Sequence, residues 1–87
     1  MQLASTLDLA AAAPLSAALR AQRGKPIELD VSAVERLGGL CLQVLVAAQR
    51  TWQADGVPFT LVNPSQPFAD AVRLMAADEL TASEIIR

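Results

Sequence analysis

The sequence predicts an α/β domain in which a small, mostly parallel β-sheet is flanked by helices. Two short apolar segments, residues 26–31 and 57–62, alternate with a period of two and predict strands. Longer segments with a helical repeat precede and follow each of them. Because a strand–helix–strand order joins neighbouring strands by crossovers, the sheet is expected to be parallel. The length of 87 residues is that of one domain, which we expect to span residues 1–87.

The N-terminal part predicts a short edge strand over residues 1–6, with Leu3 turned inward, and then a helix. Pro14 has no amide hydrogen, so it is expected in the first turn of that helix. The helix should therefore begin within residues 9–12 and run through residue 22. Gly24 is expected to end it as a C-cap.

The next strand, residues 26–31, places Ile27, Leu29 and Val31 on one face. A connection then leads through Val34 to two consecutive glycines before a helix over residues 40–55. At 100° per residue, one arc of this helix is expected to face the core. Its members are Cys41, Val44, Leu45, Ala48 and Trp52.

Leu40, Leu42 and Val46 are apolar but do not belong to the core-facing arc. Two interpretations of these residues stay open. They pack beneath a neighbouring element, or they form an exposed apolar strip of the kind that marks a partner surface. The sequence does not decide between the two.

The next predicted elements are the strand at residues 57–62 and a helix that follows it. Ser65 is expected to cap this helix, with Pro67 in its first turn. Its buried stripe is expected to comprise Phe68, Ala71, Val72 and Met75. Residues 80–87 fit either a helix beginning with a capping box or a strand ending in two isoleucines.

The composition argues against several classes of function. The net charge of −2 and an aromatic content of 3% are unlike a nucleic-acid-binding surface. The absence of histidine and the single Cys41 disfavour a catalytic centre or a metal site, so no cofactor is expected. No apolar run approaches the ~20 residues that cross a bilayer, and the N-terminus has no signal pattern. We therefore expect a cytoplasmic protein without direct membrane insertion.

The segments that follow the strands are the candidate sites, because ligands of parallel sheets bind beyond the carboxyl ends of the strands. Asp30 and Ser32 are expected to shape a turn rather than to form an acidic or phosphorylated site. Gly38-Gly39 favours a tight turn, since no further glycine or lysine of a phosphate loop accompanies it. Cys41 and Trp52 are both expected in the core.

The segment LDVSAVERLGGLCLQVL, residues 29–45, resembles the STAS domain family, named for sulphate transporters and anti-sigma factor antagonists. The family pattern is a strand ending in Asp-hydrophobic-Ser-x-Val, followed by Asp-Ser-Ser-Gly-Leu at the start of a helix. Asp30, Ser32 and Val34 match its first part. The segment FTLVNPS, residues 59–65, is similar to the family's next strand and helix entry. The resemblance covers nearly the whole chain from about residue 6, with a shortened N-terminus.

The chain departs from the family at the residue that a partner kinase phosphorylates, the first serine of Asp-Ser-Ser-Gly. A gapless placement sets Gly38 on the aspartate and Gly39 on the phosphoacceptor serine. A placement shifted by two residues sets Arg36 and Leu37 there instead. Neither brings a hydroxyl to the phosphoacceptor position. The resemblance therefore implies a binding module without the phosphorylation switch.

What the resemblance implies is a non-catalytic protein–protein interaction module of bacterial signalling, akin to anti-sigma factor antagonists or chemotaxis-associated STAS proteins. Its partner would be an anti-sigma factor, a related kinase or another signalling protein, and an exposed edge strand would permit a homodimer. The expected partner-binding residues lie around the double glycine, on the following helix and in the loop after the second strand: Glu35, Arg36, Leu37, Gly38, Gly39, Leu40, Leu42, Val46, Asn63 and Ser65.

A second function stays open. The loop Leu37-Gly38-Gly39 resembles the Thr-Gly-Gly loop of STAS proteins that form a cytoplasmic subunit of lipid-transporting ABC complexes. An enzyme or a nucleotide-binding protein has the least support, because the residues that such chemistry needs are missing.

Overall fold

The computed structural model describes residues 1–75 as an alternation of strands and helices, which confirms the predicted α/β class. The elements, in chain order, are β1 (Thr6–Leu7), α1 (Leu9–Ala21), β2 (Ile27–Asp30), β3 (Arg36–Leu37), α2 (Gly39–Asp55), β4 (Phe59–Val62) and α3 (Gln66–Leu74). The strands predicted at residues 26–31 and 57–62 correspond to β2 and β4.

All strand pairs in this part of the chain are parallel. β2 pairs with β4, with Ile27 opposite Phe59, and β1 pairs with β3. The N-terminal segment lies beside β2, where Gln2 forms an isolated parallel bridge with Asp30. Leu3 is buried, as predicted. The expected edge strand is thus reduced to a single bridge.

α1 starts within the predicted range, but Pro14 does not lie in its first turn. The Asp8 carboxylate accepts a hydrogen bond from the Ala11 amide at 3.1 Å, so the helix begins at Leu9 and Pro14 lies in its interior. The carbonyl that loses its donor belongs to Ala10, which is exposed, and water can replace the missing hydrogen bond. Gly24 is not the C-cap either: the cap is Gln22, and Gly24 has a φ of 86° in the turn that follows.

The buried side of α2 is broader than the predicted arc. Leu42 and Val46 are buried with only 3% and 9% of their surface exposed, so an exposed strip that includes them is wrong. The buried residues of α2 span about 160° of its circumference at 100° per residue. α2 packs against α1 and also contacts β4, and a helix covered by two elements buries more than one stripe.

α3 begins as the sequence predicts. Ser65 is its N-cap and accepts a hydrogen bond from the Phe68 amide at 3.2 Å. Phe68 and Val72 are buried, but Met75 is exposed because it follows the end of the helix as its C-cap. The two alternatives for residues 80–87 lie outside the described residues.

The core of the described residues consists of twenty apolar side chains and contains no buried polar or charged residue. Its most completely buried members come from β2, β4, α2 and α3 and from the connection after β2. The Trp52 indole Nε1–H donates a hydrogen bond to the Lys25 carbonyl at 2.7 Å and so ties α2 to the turn before β2. This packing fixes the position of the corner where β3 leads into α2.

Candidate functional site

The β3–α2 corner, residues 35–40, is held by the backbone of the N-terminal segment. The amides of Glu35 and Arg36 both donate to the Ser5 carbonyl, at 2.7 and 3.1 Å, and the Gly38 amide donates to the Leu7 carbonyl at 2.8 Å. The corner is therefore placed by main-chain hydrogen bonds, and its exposed side chains remain available for contacts.

The corner presents some of the predicted partner-binding residues and buries others. Glu35, Arg36, Gly39 and Leu40 are exposed, and half of the Leu40 side-chain surface is accessible. Leu37 is buried, because its side chain belongs to β3 and joins the core. With Leu42 and Val46 also buried, the apolar part of the predicted strip is reduced to Leu40.

The two glycines of the corner differ in their surroundings. A β-carbon at Gly38 would lie 3.3 Å from the Leu7 carbonyl oxygen and 3.9 Å from the Asp8 Cα. A β-carbon at Gly39 would have no atom within 4 Å outside its own neighbourhood. Gly38 thus allows the close approach of two backbone segments, whereas Gly39 faces open space.

The first turns of α1 and α2 start side by side. Thr6 is opposite Arg36 and Leu7 is opposite Leu37, so both strands lead directly into helices at the same edge. Asp8 caps α1 with its side chain, whereas Gly38 offers α2 no side-chain cap. A helix N-terminus without such a cap leaves amide donors to solvent or to a partner.

Leu9 is a candidate that sequence reasoning missed. It is the first residue of α1 and 77% of its surface is exposed, next to the start of α2 with its exposed Leu40. A leucine directly after the capping Asp8 is a usable signal, but placing Pro14 in the first turn obscured it. The two leucines are thus exposed in the first turns of helices that follow paired strands.

The loop after β4 is hydrogen-bonded to the residue just before the corner. The Ser65 hydroxyl donates to the Val34 carbonyl at 2.5 Å while it accepts from the Phe68 amide, and Ser65 is half-buried. Its hydroxyl therefore acts within the fold. Asn63 is exposed with a φ of 55°, and its side chain makes a small contribution to lowering the pKa of Asp30.

Asp30 and Ser32 form the predicted turn. The Asp30 carboxylate accepts a hydrogen bond from the Ser32 amide at 2.9 Å. The Ser32 hydroxyl and amide, with a smaller contribution from Asn63, hold the pKa of Asp30 below its ordinary value of 3.8. The carboxylate is therefore ionised near neutral pH and stabilises the turn after β2.

Cys41 is part of the core, as predicted. Its Sγ donates a weak hydrogen bond to the Asp8 carbonyl at 3.2 Å, and the side chain is fully buried. Burial, reinforced by the charge of Asp8, raises the pKa of the thiol above 9.0. A neutral, buried thiol is a poor nucleophile.

Two other kinds of feature are absent from residues 1–75. Within this range no three histidine, cysteine or acidic residues are grouped closely enough to bind a metal ion. None of the helices described is both long and apolar enough to span a bilayer.

Comparison with protein families assigns the fold. The family model described as "Mlab, STAS domain" matches residues 1–85. The chain belongs to the STAS domain family. STAS domains are in general non-enzymatic modules that bind other proteins. Neither a comparison with curated proteins nor one with solved structures found a match to this STAS domain.

Proposed function

We propose that this STAS domain is a cytoplasmic protein–protein interaction module of bacterial signalling that docks a partner at the β3–α2 corner and does not use a phosphoacceptor there. The observation that carries the proposal is the exposed pair Gly39 and Leu40 at the uncapped start of α2, beside the exposed Leu9. An apolar patch over free amide donors suits a partner segment with both apolar and acceptor groups.

The position of the helix start supports the gapless placement of the family motif. Gly39 is the first residue of α2 and is exposed, as a phosphoacceptor at a helix start must be. Leu37, which the shifted placement sets at that position, lies in β3 with its side chain in the core. In the family, a phosphate adds about two negative charges where the partner docks. Glycine cannot carry this charge, so docking is constitutive.

The test separates docking from folding. Gly39→Asp adds a carboxylate at the first position of α2, where the helix dipole favours negative charge, so the fold should be retained or stabilised. Partner capture from native lysate should nevertheless be lost, as it should for Leu40→Asp. Ala54→Asp, near the opposite end of α2, is the matched control and should leave capture unchanged. Undiminished capture by both corner variants would show that the partner binds elsewhere.

A second experiment tests the absence of the switch. The chain is incubated with ATP and a purified serine kinase of the anti-sigma type, and its intact mass is measured. No phosphate is expected on residues 38–41. A phosphate that appears on Ser32, which is exposed, and that weakens partner capture would contradict a constitutive module.

The alternative function is a cytoplasmic STAS subunit of a lipid-transporting ABC complex. It is favoured by the glycine pair, since Leu37-Gly38-Gly39 resembles the Thr-Gly-Gly loop of such subunits and a β-carbon at Gly38 would make a tight contact with the Leu7 carbonyl. The two functions differ in the captured partner. An ATPase recovered from the membrane fraction, and lost with Leu40→Asp, supports the transporter subunit, whereas a soluble regulator or kinase supports the signalling module.

A further inference from the structure

A groove runs between α1 and α2 on a surface that the proposed docking corner does not use. Its volume is about 400 Å³. Leu19, Ala48 and Trp52 form its buried floor, and Val44 is half-buried on one wall. Polar side chains line its rims: Ser16, Arg20 and Arg23 from α1, and Gln43 and Thr51 from α2.

The shape of the groove suits a helix. From Gln43 to Thr51 it extends for about 12 Å, roughly two helical turns. The small side chains of Ser16, Ala47 and Ala48 leave room for a third helix to approach at the usual 8–10 Å between axes. Both walls are helices with internally paired amides, so an extended peptide would find no strand edge to pair with. A helix satisfies its own backbone hydrogen bonds.

The charged side chains at the rim of the groove indicate the sign of the charge that a bound partner should carry. The groove is lined by two arginines and no acidic residue, although the whole chain has a net charge of −2. The Arg23 guanidinium is paired with the Asp55 carboxylate at 3.1 Å. Arg20, one turn earlier on α1, forms no ion pair with any of the described residues and lies beside the apolar floor. It is available for a carboxylate from outside.

We propose that the α1–α2 groove binds an acidic amphipathic helix of a partner protein, with its apolar side chains on Leu19, Val44 and Trp52 and a carboxylate beside Arg20. Such a helix presents apolar residues at three- and four-residue spacing and Asp or Glu on the flank that faces α1. The groove is only partly enclosed, so an acyl chain lying in it would leave one side in water. This favours a helix over a lipid.

The experiment selects binders to the whole chain from a displayed library of 14-residue peptides. Trp52 is the single tryptophan of the chain and part of the groove floor, so its fluorescence reports occupancy. The expected binders are helical, with the apolar spacing given above and an excess of Asp and Glu. Ala47→Arg, which fills the exposed wall, should weaken their binding at least tenfold. Arg20→Glu should weaken it at least fivefold.

Matched controls make the same changes on exposed residues outside the groove lining. Ala17→Arg and Lys25→Glu should leave the affinities within twofold of those of the unchanged chain. Gly39→Asp, which lies in the docking corner and on another side of α2, should also leave them unchanged, so that failure of this proposal and failure of the corner are told apart. Circular dichroism of each variant establishes that the fold is retained.

Two results would overturn the proposal. In the first, the selection yields no peptide whose binding depends on Ala47, or the groove-dependent peptides carry Lys and Arg in place of acidic residues. In the second, oleate changes the Trp52 fluorescence in a manner abolished by Ala47→Arg, while no peptide does so. The groove would then be a site for an anionic lipid.

Discussion

The amide of Gly38 donates a hydrogen bond to the Leu7 carbonyl at 2.8 Å, and a β-carbon at Gly38 would lie only 3.3 Å from that same oxygen. The contact joins the end of β1 to the start of α2 across thirty-one positions of sequence. A β-carbon at Gly38 would therefore make a tight contact that displaces the Leu7 carbonyl. At Gly39 the corresponding space is open, so a side chain at this position would meet solvent or a partner and not the fold itself.

The two glycines are accordingly expected to respond differently to alanine. Gly38→Ala should lower the free energy of unfolding by about 1 kcal/mol, because the Leu7 carbonyl must move and its hydrogen bond lengthens. Gly39→Ala should raise it by about 0.4–1 kcal/mol, since its φ is not positive and the unfolded chain loses freedom. Urea unfolding followed by Trp52 fluorescence measures both. Equal effects would contradict the different roles of the two residues.

Charge placed on the buried flank of α2 is expected to unfold the protein. The double variant Leu42→Asp, Val46→Asp introduces two carboxylates into the core and should cost more than about 4 kcal/mol. Leu40→Asp, two residues from the first site but half-exposed, should cost less than about 1 kcal/mol. Thermal unfolding followed by circular dichroism distinguishes them. A cooperative, nearly unchanged transition in the double variant would be inconsistent with the burial of that flank.

The Ser65 hydroxyl is expected to contribute to stability through two contacts. It caps α3 at the Phe68 amide and donates to the Val34 carbonyl before the corner. Ser65→Ala should lower the free energy of unfolding by about 1–2 kcal/mol in chemical denaturation. Ser5→Ala, at an exposed serine, is the control and should stay within about 0.5 kcal/mol. A Ser65→Ala effect as small as that of the control would argue against both contacts.

Asp30 is expected to make stability depend on pH on the acid side. Hydrogen bonds from Ser32 lower its pKa in the folded state, so the unfolded chain takes up the proton first as the pH falls. Its contribution is fully present above the ordinary value of 3.8 and is lost as the pH falls through the lowered folded pKa. Asp30→Asn should therefore reduce the acid-side slope of the unfolding free energy. An unchanged slope would mean that other carboxylates account for it.

Cys41 is expected to make the stability of the fold depend on pH on the alkaline side. Burial raises its pKa, so above 9.0 the unfolded thiol ionises while the folded thiol stays protonated, and stability falls as the pH rises. Cys41→Ala should remove this part of the decrease. In the folded protein at neutral pH, a thiol reagent should label Cys41 only at the rate of unfolding. Rapid labelling under native conditions would show that the thiol is accessible.

Several elements of the fold were predictable because they depend on residues that are close in sequence. The alternation at residues 26–31 and 57–62 predicts the two central strands, and the Ser65 cap with Pro67 in the first turn predicts the start of α3. The place of Pro14 in the interior of α1 was not predictable in this way. A proline inside a helix is tolerated where the carbonyl that it leaves unpaired faces water, and exposure cannot be read from local sequence.

The sequence by itself determined the three helices, the two central strands with their parallel pairing and the lack of a hydroxyl at the corner, since these follow from side-chain periodicity, cap chemistry and residue identity; the two-residue strands β1 and β3 were not predicted. Tertiary structure alone decided which sides of α2 are covered, because α1 and β4 meet it from directions that a single helical period does not encode. It also decided that Gly38, and not Gly39, touches the N-terminal segment, since that contact depends on where Leu7 lies in space.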